Sequence, residues 1–499
     1  MDQVVQLIVG AGTSDAELRA LHDQLRSREE NLRALVAAPG AVGEAFDALD
    51  AERHALGLLH VLAARLRCLE ASGDDAAARS RVLPLARRAE AWAARAARAQ
   101  LEVAPKLAAS AGHRLAALAC REGGAAAAVA AEALASLAAK LAPEPACLTA
   151  AHGDCLQCCV AARRYGRGAR FLEDAPVFRV AAFPRKSGAA APPPTPPPGD
   201  GPDAGGGAFP ADALADAAPG PRAARGSPAS GLAAAGVQAV DLLKYAYYGG
   251  VVCCGLGRWR DAAELFAVGA TAPAVSLSAV AVACLKKLVL CRLLARRGDP
   301  GDAGNLPKYC SSVVSRASKS LAAPYHDLAE AMAGGDFCAL DAALNKHAEA
   351  LARDGNAELA ARLPDALRRA KAVELTHTYL NLPLADVAAR AGLPDADAAE
   401  ALLLNMAKRQ ELRVAIDDAA RVAHFSEEEG PGAASEEAIA ATLHGEMAAA
   451  LKLGAIVDKM AEKISLNPTF ILKSANDLGD APGAIRDADD ANVASMDFM

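Results

Sequence analysis

From residue 1 to about residue 183, alanine and leucine return every three or four positions and leave arginine and glutamate on the opposite side, the period of amphipathic helices. The same period marks Val280, Cys284, Leu288 and Cys291, with Lys286 and Lys287 off the stripe, and Gly298-Asp299-Pro300 predicts the stop of that helix. Further helices are expected over Lys308 to Ser320, over Pro324 to Ala333 closed by Gly334-Gly335, and over Phe337 to Arg353 between Asp336 and Gly355. Beyond Ala372 the pattern predicts one helix, a proline-marked short helix ending at Gly392, and a third helix from Asp395. Leu412, Val414 and Ile416 then alternate, Asp417-Asp418 supplies a turn, and the chain returns through Val422 to Phe425. Three helices followed by a β-hairpin make a winged helix. From Ser435 to about Ile464 a long helix carries Leu453, Val457, Met460 and Ile464 on one stripe, with Lys452, Asp458 and Lys463 outside it. Such a seam calls for partner helices, and docking back on its own chain is the alternative.

The stretch from Tyr245 to Pro273 organises the middle of the chain. Aromatic residues make up 4% of the protein, yet Tyr245, Tyr247, Tyr248, Trp259 and Phe266 gather here. Gly250, Gly257, Trp259, Ala262 and Phe266 fall at the offsets of a tetratricopeptide-type helical hairpin, with Pro273 near its close. Gly257 sits where the chain must turn, and the aromatics are expected to fill the space between the helices. His152 to Asp174 reads as a degenerate second hairpin in which Tyr165 takes the place of Trp259. A lone hairpin cannot bury both faces, so the expected fold is all-α with a small β-hairpin, an α-solenoid of such repeats ending in a winged helix.

Composition adds boundaries. From Lys186 to about Gly236 the chain turns to proline, alanine and glycine, too little apolar area to offset chain entropy, and a disordered insertion is expected. The resulting division is an arm over 1–183, the insertion over 184–236, helical repeats over 237–371, the winged helix over 372–425, a terminal helix over 434–473 and an acidic mobile tail over 474–499. The net charge of −7, with both signs interleaved, gives no electrostatic case for nucleic acid or an anionic membrane. The third winged-helix segment carries Asp395, Asp397, Glu400 and Glu411 against Lys408 and Arg409, acids that would meet phosphates if the helix entered a groove. The most apolar long span, Gly123 to Ala142, contains Glu132 and Lys140, and no signal sequence is read at the start, so a soluble chain is expected.

Candidate chemistry is sparse. The twelve cysteines lie in helical, apolar contexts and read as reduced thiols. His152, Cys155, Cys158 and Cys159 invite a zinc reading, but Cys147 is the one nearby candidate for a further ligand, and burial in the core is the favoured reading. The ten histidines include no His-x-His pair and no His-Glu-x-x-His, and neither a Gly-x-x-x-x-Gly-Lys loop nor a Gly-x-Ser-x-Gly elbow occurs. Catalytic, cofactor and metal residues are therefore expected to be absent.

Helical repeats running into a winged helix resemble the PCI family, the scaffold subunits of the proteasome lid, the COP-nine (constitutive photomorphogenesis nine) signalosome and an initiation-factor complex. Within it, the chain is similar to the branch formed by the signalosome's third subunits. The resemblance rests on Tyr247-Tyr248-Gly249-Gly250, Pro273-Ala274 with the Lys286-Lys287 helix, Leu306-Pro307-Lys308-Tyr309 and Tyr325-His326 with Leu328-Ala329. It continues through Asn345-Lys346-His347, Arg353-Asp354, Leu375 to Val387, and Asn467-Pro468 with Phe470. The Pro/Gly insertion, the alanine enrichment and a hairpin tip without glycine depart from the pattern. The resemblance implies a non-catalytic scaffold of the complex that removes the modifier Nedd from cullins, with the chemistry in a metalloprotease subunit. It implies a hetero-oligomer of PCI and metalloprotease-fold subunits, with cullin-RING ligases as substrates of the complex, in cytoplasm and nucleus. A scaffold of the proteasome lid or of an initiation-factor complex is the alternative. Leu453, Val457, Met460 and Ile464 would then form a bundle interface, and the strand of Leu412, Val414 and Ile416 would face neighbouring winged helices.

Overall fold

The computed structural model describes residues 2–38, 40–72, 80–142, 147–177, 237–272, 277–295, 303–307, 310, 312–409, 411–425 and 436–466. The 184–236 insertion, the 474–499 tail, Pro273 and the Gly298-Asp299-Pro300 stop lie outside them. Two compact units divide the chain, one comprising the described residues up to Ala295 together with Ala303–Tyr325, the other beginning at His326.

The described elements of the first unit are all helices. Its elements are α1 (Asp2–Val9), α2 (Asp15–Ser27), α3 (Glu29–Ala37), α4 (Ala41–Ala48), α5 (Ala55–Ala71), α6 (Val82–Arg95), α7 (Arg98–Leu101) and α8 (Pro105–Glu122). They continue as α9 (Gly124–Leu141), α10 (Ala150–Ala161), α11 (Tyr165–Asp174), α12 (Ala239–Gly255), α13 (Trp259–Thr271), α14 (Ala279–Ala295) and α15 (Ser312–Leu321). Neighbours stack in turn: α9 on α10, α10 on α12, α12 on α13 and α13 on α14. This is the near-neighbour packing of a solenoid. One hydrophobic core runs from Ile8 to Val252. Helix α5 is buried all round from Ala55 to Leu66, so its polar groups must be satisfied inside. Gln100 does this at its first turn, accepting from the Leu56 amide at 2.9 Å and donating to the Arg53 carbonyl at 2.6 Å. Arg65, also buried, donates to the Val36 and Ala37 carbonyls at the end of α3. Among the described residues α9 alone is long and apolar enough to cross a membrane, and more than half of it is buried inside the unit, against α6, α8 and α10.

The two hairpins share one turn geometry. In α10–α11 the Arg163 amide donates to Val160 O and the Arg164 amide to Cys159 O; in α12–α13 the Gly257 amide donates to Cys254 O and the Arg258 amide to Cys253 O. Both are Schellman closures with a left-handed residue, Gly257 at φ +74° and Arg163 at φ +54°. Tyr165 and Trp259 open the second helix of each, and both are half-buried at the turn. Trp259 therefore does not fill the interior as the aromatic spacing predicts. Phe266 does, fully buried beside Ala262, because Gly250 opposite has no side chain: a Cβ there would lie 2.5 Å from the Phe266 ring. Tyr165 likewise lies over Gly255, joining the two hairpins.

Helix α16 (Ala323–Gly334) leads into the second unit, where α17 (Phe337–Lys346), α18 (Ala348–Arg353), α19 (Ala357–Ala360) and α20 (Leu363–Thr378) precede the winged helix. There β1 (Asn381–Pro383), α21 (Leu384–Ala391), α22 (Ala396–Lys408), β2 (Val414–Asp417) and β3 (Val422–Phe425) follow. The expected helix from Phe337 to Arg353 is broken at His347 into α17 and α18. Gly392 ends α21 at φ +64°, and the Asp395 carboxylate caps α22 by accepting from the Ala398 amide at 2.7 Å. The sheet has three antiparallel strands in the order β1-β3-β2, one more than alternation predicts. Helix α23 (Glu436–Ser465) closes the described chain.

Gly250→Ala forces the Phe266 ring aside in a packed interface, an overpacking cost of about 1–3 kcal/mol. A denaturant titration followed by circular dichroism should show the midpoint fall, and an unchanged midpoint would mean that α12 and α13 stand further apart.

Candidate interaction surface

Two features of the second unit present surface that a partner could extend. The first is the wing. Val414 and Ile416 are half-buried against the domain core, and Leu412 is buried two residues ahead of β2, not within the strand. Their side chains thus turn inward, Ile416 opposite Ala423 and Val414 opposite Phe425. What β2 leaves open is its backbone: among the described residues it lies at one edge of the sheet and pairs with β3 alone. The turn before β3 folds without glycine because Asp417 accepts from the Ala419 and Ala420 amides at 2.9 and 3.1 Å. Arg421 then takes a left-handed conformation at φ +53° while its guanidinium pairs with Asp397 and, at 3.3 Å, with Glu400. Those are acids of α22, so the charge that speaks against phosphate contact is spent on holding the wing.

The second feature is α23. From residue 440 onward every described side chain is exposed except Ile456 and Ile464, which are half-buried. Leu443, Met447, Leu451, Leu453, Val457, Met460 and Leu466 are all large apolar groups facing solvent. Leu453, Val457 and Met460 of the expected stripe are exposed, and Ile464 is half-covered. From Leu451 to Met460 five large apolar residues, Leu451, Leu453, Ile456, Val457 and Met460, fall within about three turns, the density of a helix that buries itself against others.

The residues weighed for zinc lie in the first unit and act as core. His152 is buried, and its Nδ1 lies 3.1 Å from the Thr149 amide and 2.8 Å from Thr149 Oγ1 at the start of α10, with Phe171 and Tyr245 against the ring. Burial pushes its pKa down to about 4. Cys155 points at the Ala131 carbonyl at 3.3 Å, and Cys158 at Cys120 Sγ at 3.8 Å. Among the described residues no three metal-ligating side chains converge.

A buried polar cluster that sequence reading missed ties the arm to the aromatic hairpin. Asp154 of α10 and Asp241 of α12 are fully buried. His113 of α8 lies between them, Nδ1 2.5 Å from Asp154 and Nε2 3.5 Å from Asp241, and Lys244 Nζ lies 2.9 Å from Asp154. The three segments are remote in sequence, and no local pattern marks them as neighbours. The hydrogen bond to Asp154 raises the His113 pKa, while burial raises that of Asp241.

Repeated helical hairpins joined to a winged helix with an edge strand define a PCI-type scaffold architecture. The chain matches the PCI domain over residues 344–427, and the family described as COP9 signalosome complex subunit 3, N-terminal helical repeats, over residues 15–182 and 232–314. The chain belongs to that COP9 signalosome subunit 3 family. It is 26% identical over 433 residues to a COP9 signalosome complex subunit 3 of Arabidopsis thaliana, covering 86% of this chain and 83% of the relative. With the Drosophila melanogaster protein of the same name it is 30% identical over 232 residues, 46% of this chain, and that match spans about half the relative's length, 51%.

Because the folded state holds the His113 proton more tightly than the unfolded chain, its contribution is complete below the ordinary value of 6.5 and is lost as pH rises through the raised folded value. The gap in melting temperature between wild type and His113→Gln should therefore narrow as pH is raised from about 6 to about 9. A gap independent of pH would mean that folding leaves the His113 pKa unshifted, and a gap that widens as pH rises would mean that His113 is neutral in the fold.

Proposed function

We propose that this chain is a non-catalytic scaffold subunit of the COP9 signalosome, the assembly that removes the ubiquitin-like modifier Nedd from cullins and so regulates cullin-RING ubiquitin ligases. The observation that carries the reading is the family match combined with the apolar, solvent-facing length of α23. In this reading α23 enters a bundle shared with the terminal helices of other subunits, and the β2 edge adjoins the winged helix of a neighbour by continuing its sheet. The repeats of the first unit hold partners or ligases. Isopeptidase chemistry belongs to a metalloprotease subunit, and the complex works in cytoplasm and nucleus.

Leu453→Asp places a charge in the middle of the α23 seam. Expressed with an affinity tag in its native cell, the wild-type chain should co-purify with several PCI proteins and a cullin-deneddylating metalloprotease, and the variant should recover at least ~10-fold less of them, a change of about 1.4 kcal/mol. Equal recovery would overturn the bundle role of α23. Recovery of wild type with proteasome lid and base proteins would overturn the signalosome assignment.

A further inference from the structure

The aromatic hairpin and the helix that follows it bring two thiols together. Cys254 lies in the last turn of α12 and Cys291 on α14, thirty-seven residues apart in sequence, and their sulfurs are 3.4 Å apart. Cys254 is partly open to solvent, whereas Cys291 is fully buried. The approach follows from the fold, because α12 and α14 both pack on α13 and also touch each other. Burial pushes the pKa values of the neighbouring Cys253 and Cys284 up to about 11 and about 12, and the Cys254 contact together with burial raises that of Cys291 as well, so it is the short sulfur–sulfur distance, not acidity, that sets the Cys254–Cys291 pair apart.

We propose that Cys254 and Cys291 form a reversible disulfide when the protein meets hydrogen peroxide. In the first step the Cys254 sulfur attacks one peroxide oxygen, the O–O bond breaks, and the other oxygen leaves as water with the thiol proton. The product is a sulfenic acid at Cys254. In the second step the Cys291 sulfur attacks that sulfur, the S–O bond breaks, and a second water leaves with the Cys291 proton. The two thiols lose two electrons together, and the peroxide gains them. The bond joins α12 to α14 across α13, so the hairpin and the next helix of the solenoid become one covalent loop. The sulfurs are already in contact at 3.4 Å and have to close to a bond length of about 2.05 Å.

The test uses the full-length chain treated with hydrogen peroxide, quenched with N-ethylmaleimide, digested and mapped by mass spectrometry. The expected product is one peptide pair joined through Cys254 and Cys291, released by dithiothreitol, together with a higher denaturant midpoint than the reduced chain. In Cys254→Ser, or in Cys291→Ser if the first is poorly folded by circular dichroism, that pair is absent and the midpoint no longer responds to peroxide. Recovery of Cys254 as sulfinic acid with Cys291 still alkylated on unfolding would overturn the proposal. Linkage of Cys120 to Cys158, whose sulfurs are 3.8 Å apart, without the Cys254–Cys291 pair would overturn it as well.

Discussion

Close approach between helices is the constraint on which this architecture depends. Much of the first unit's core is alanine, whose methyl group buries little area, so each interface gains its energy only if the backbones come near. Gly250 shows the limit: with no side chain, it admits the Phe266 ring to the helix surface. Gly255 does the same for Tyr165, and Gly269 for the Cys284 sulfur. Large residues are thus received by positions that have none. A core built this way tolerates added volume poorly, and its stability is distributed along the stack, with no single centre.

The same closeness leaves few places for polar atoms, and those present act as cross-links. Gln100, Arg65 and Trp92 reach backbone groups at the ends of α3 and α5, and the Asp154, His113, Lys244 and Asp241 cluster joins three helices. In the second unit Arg421 has the equivalent task of fixing the wing against α22. Each replaces apolar area with directional contacts, which specify register where small side chains alone would allow sliding.

Helix periodicity, the Gly392 and Asp395 punctuation and the third winged-helix segment were all legible in the sequence, because they are set within a few residues. So were the offsets of Gly250, Gly257, Ala262 and Phe266. What was not legible depends on contacts between distant segments. Strand β1 is three residues long, contains Pro383 and exists only because β3 pairs with it, so alternation could not reveal it. Spacing assigned Trp259 an interior role, but its position at the mouth of the turn leaves it half-buried. Leu412 continued an alternating pattern, yet the strand begins after it. The His113 cluster carried no sequence signal at all, since an isolated histidine and two isolated aspartates are ordinary residues until the solenoid stacks them.

The continuity of the first core has a consequence for how the chain tolerates change. Residues on either side of 178–236 are packed neighbours: Lys244 pairs with Asp154, Arg258 with Glu173, and Tyr165 lies on Gly255. The residues up to 177 and those from 237 therefore belong to one stack. Since joining two chain ends through an unstructured segment costs only about 0.6 kcal/mol more for each doubling of its length, a stack held by its own contacts places little constraint on how many residues connect its parts. A scaffold of this kind is free to carry connections of very different length while the repeats on both sides keep their register.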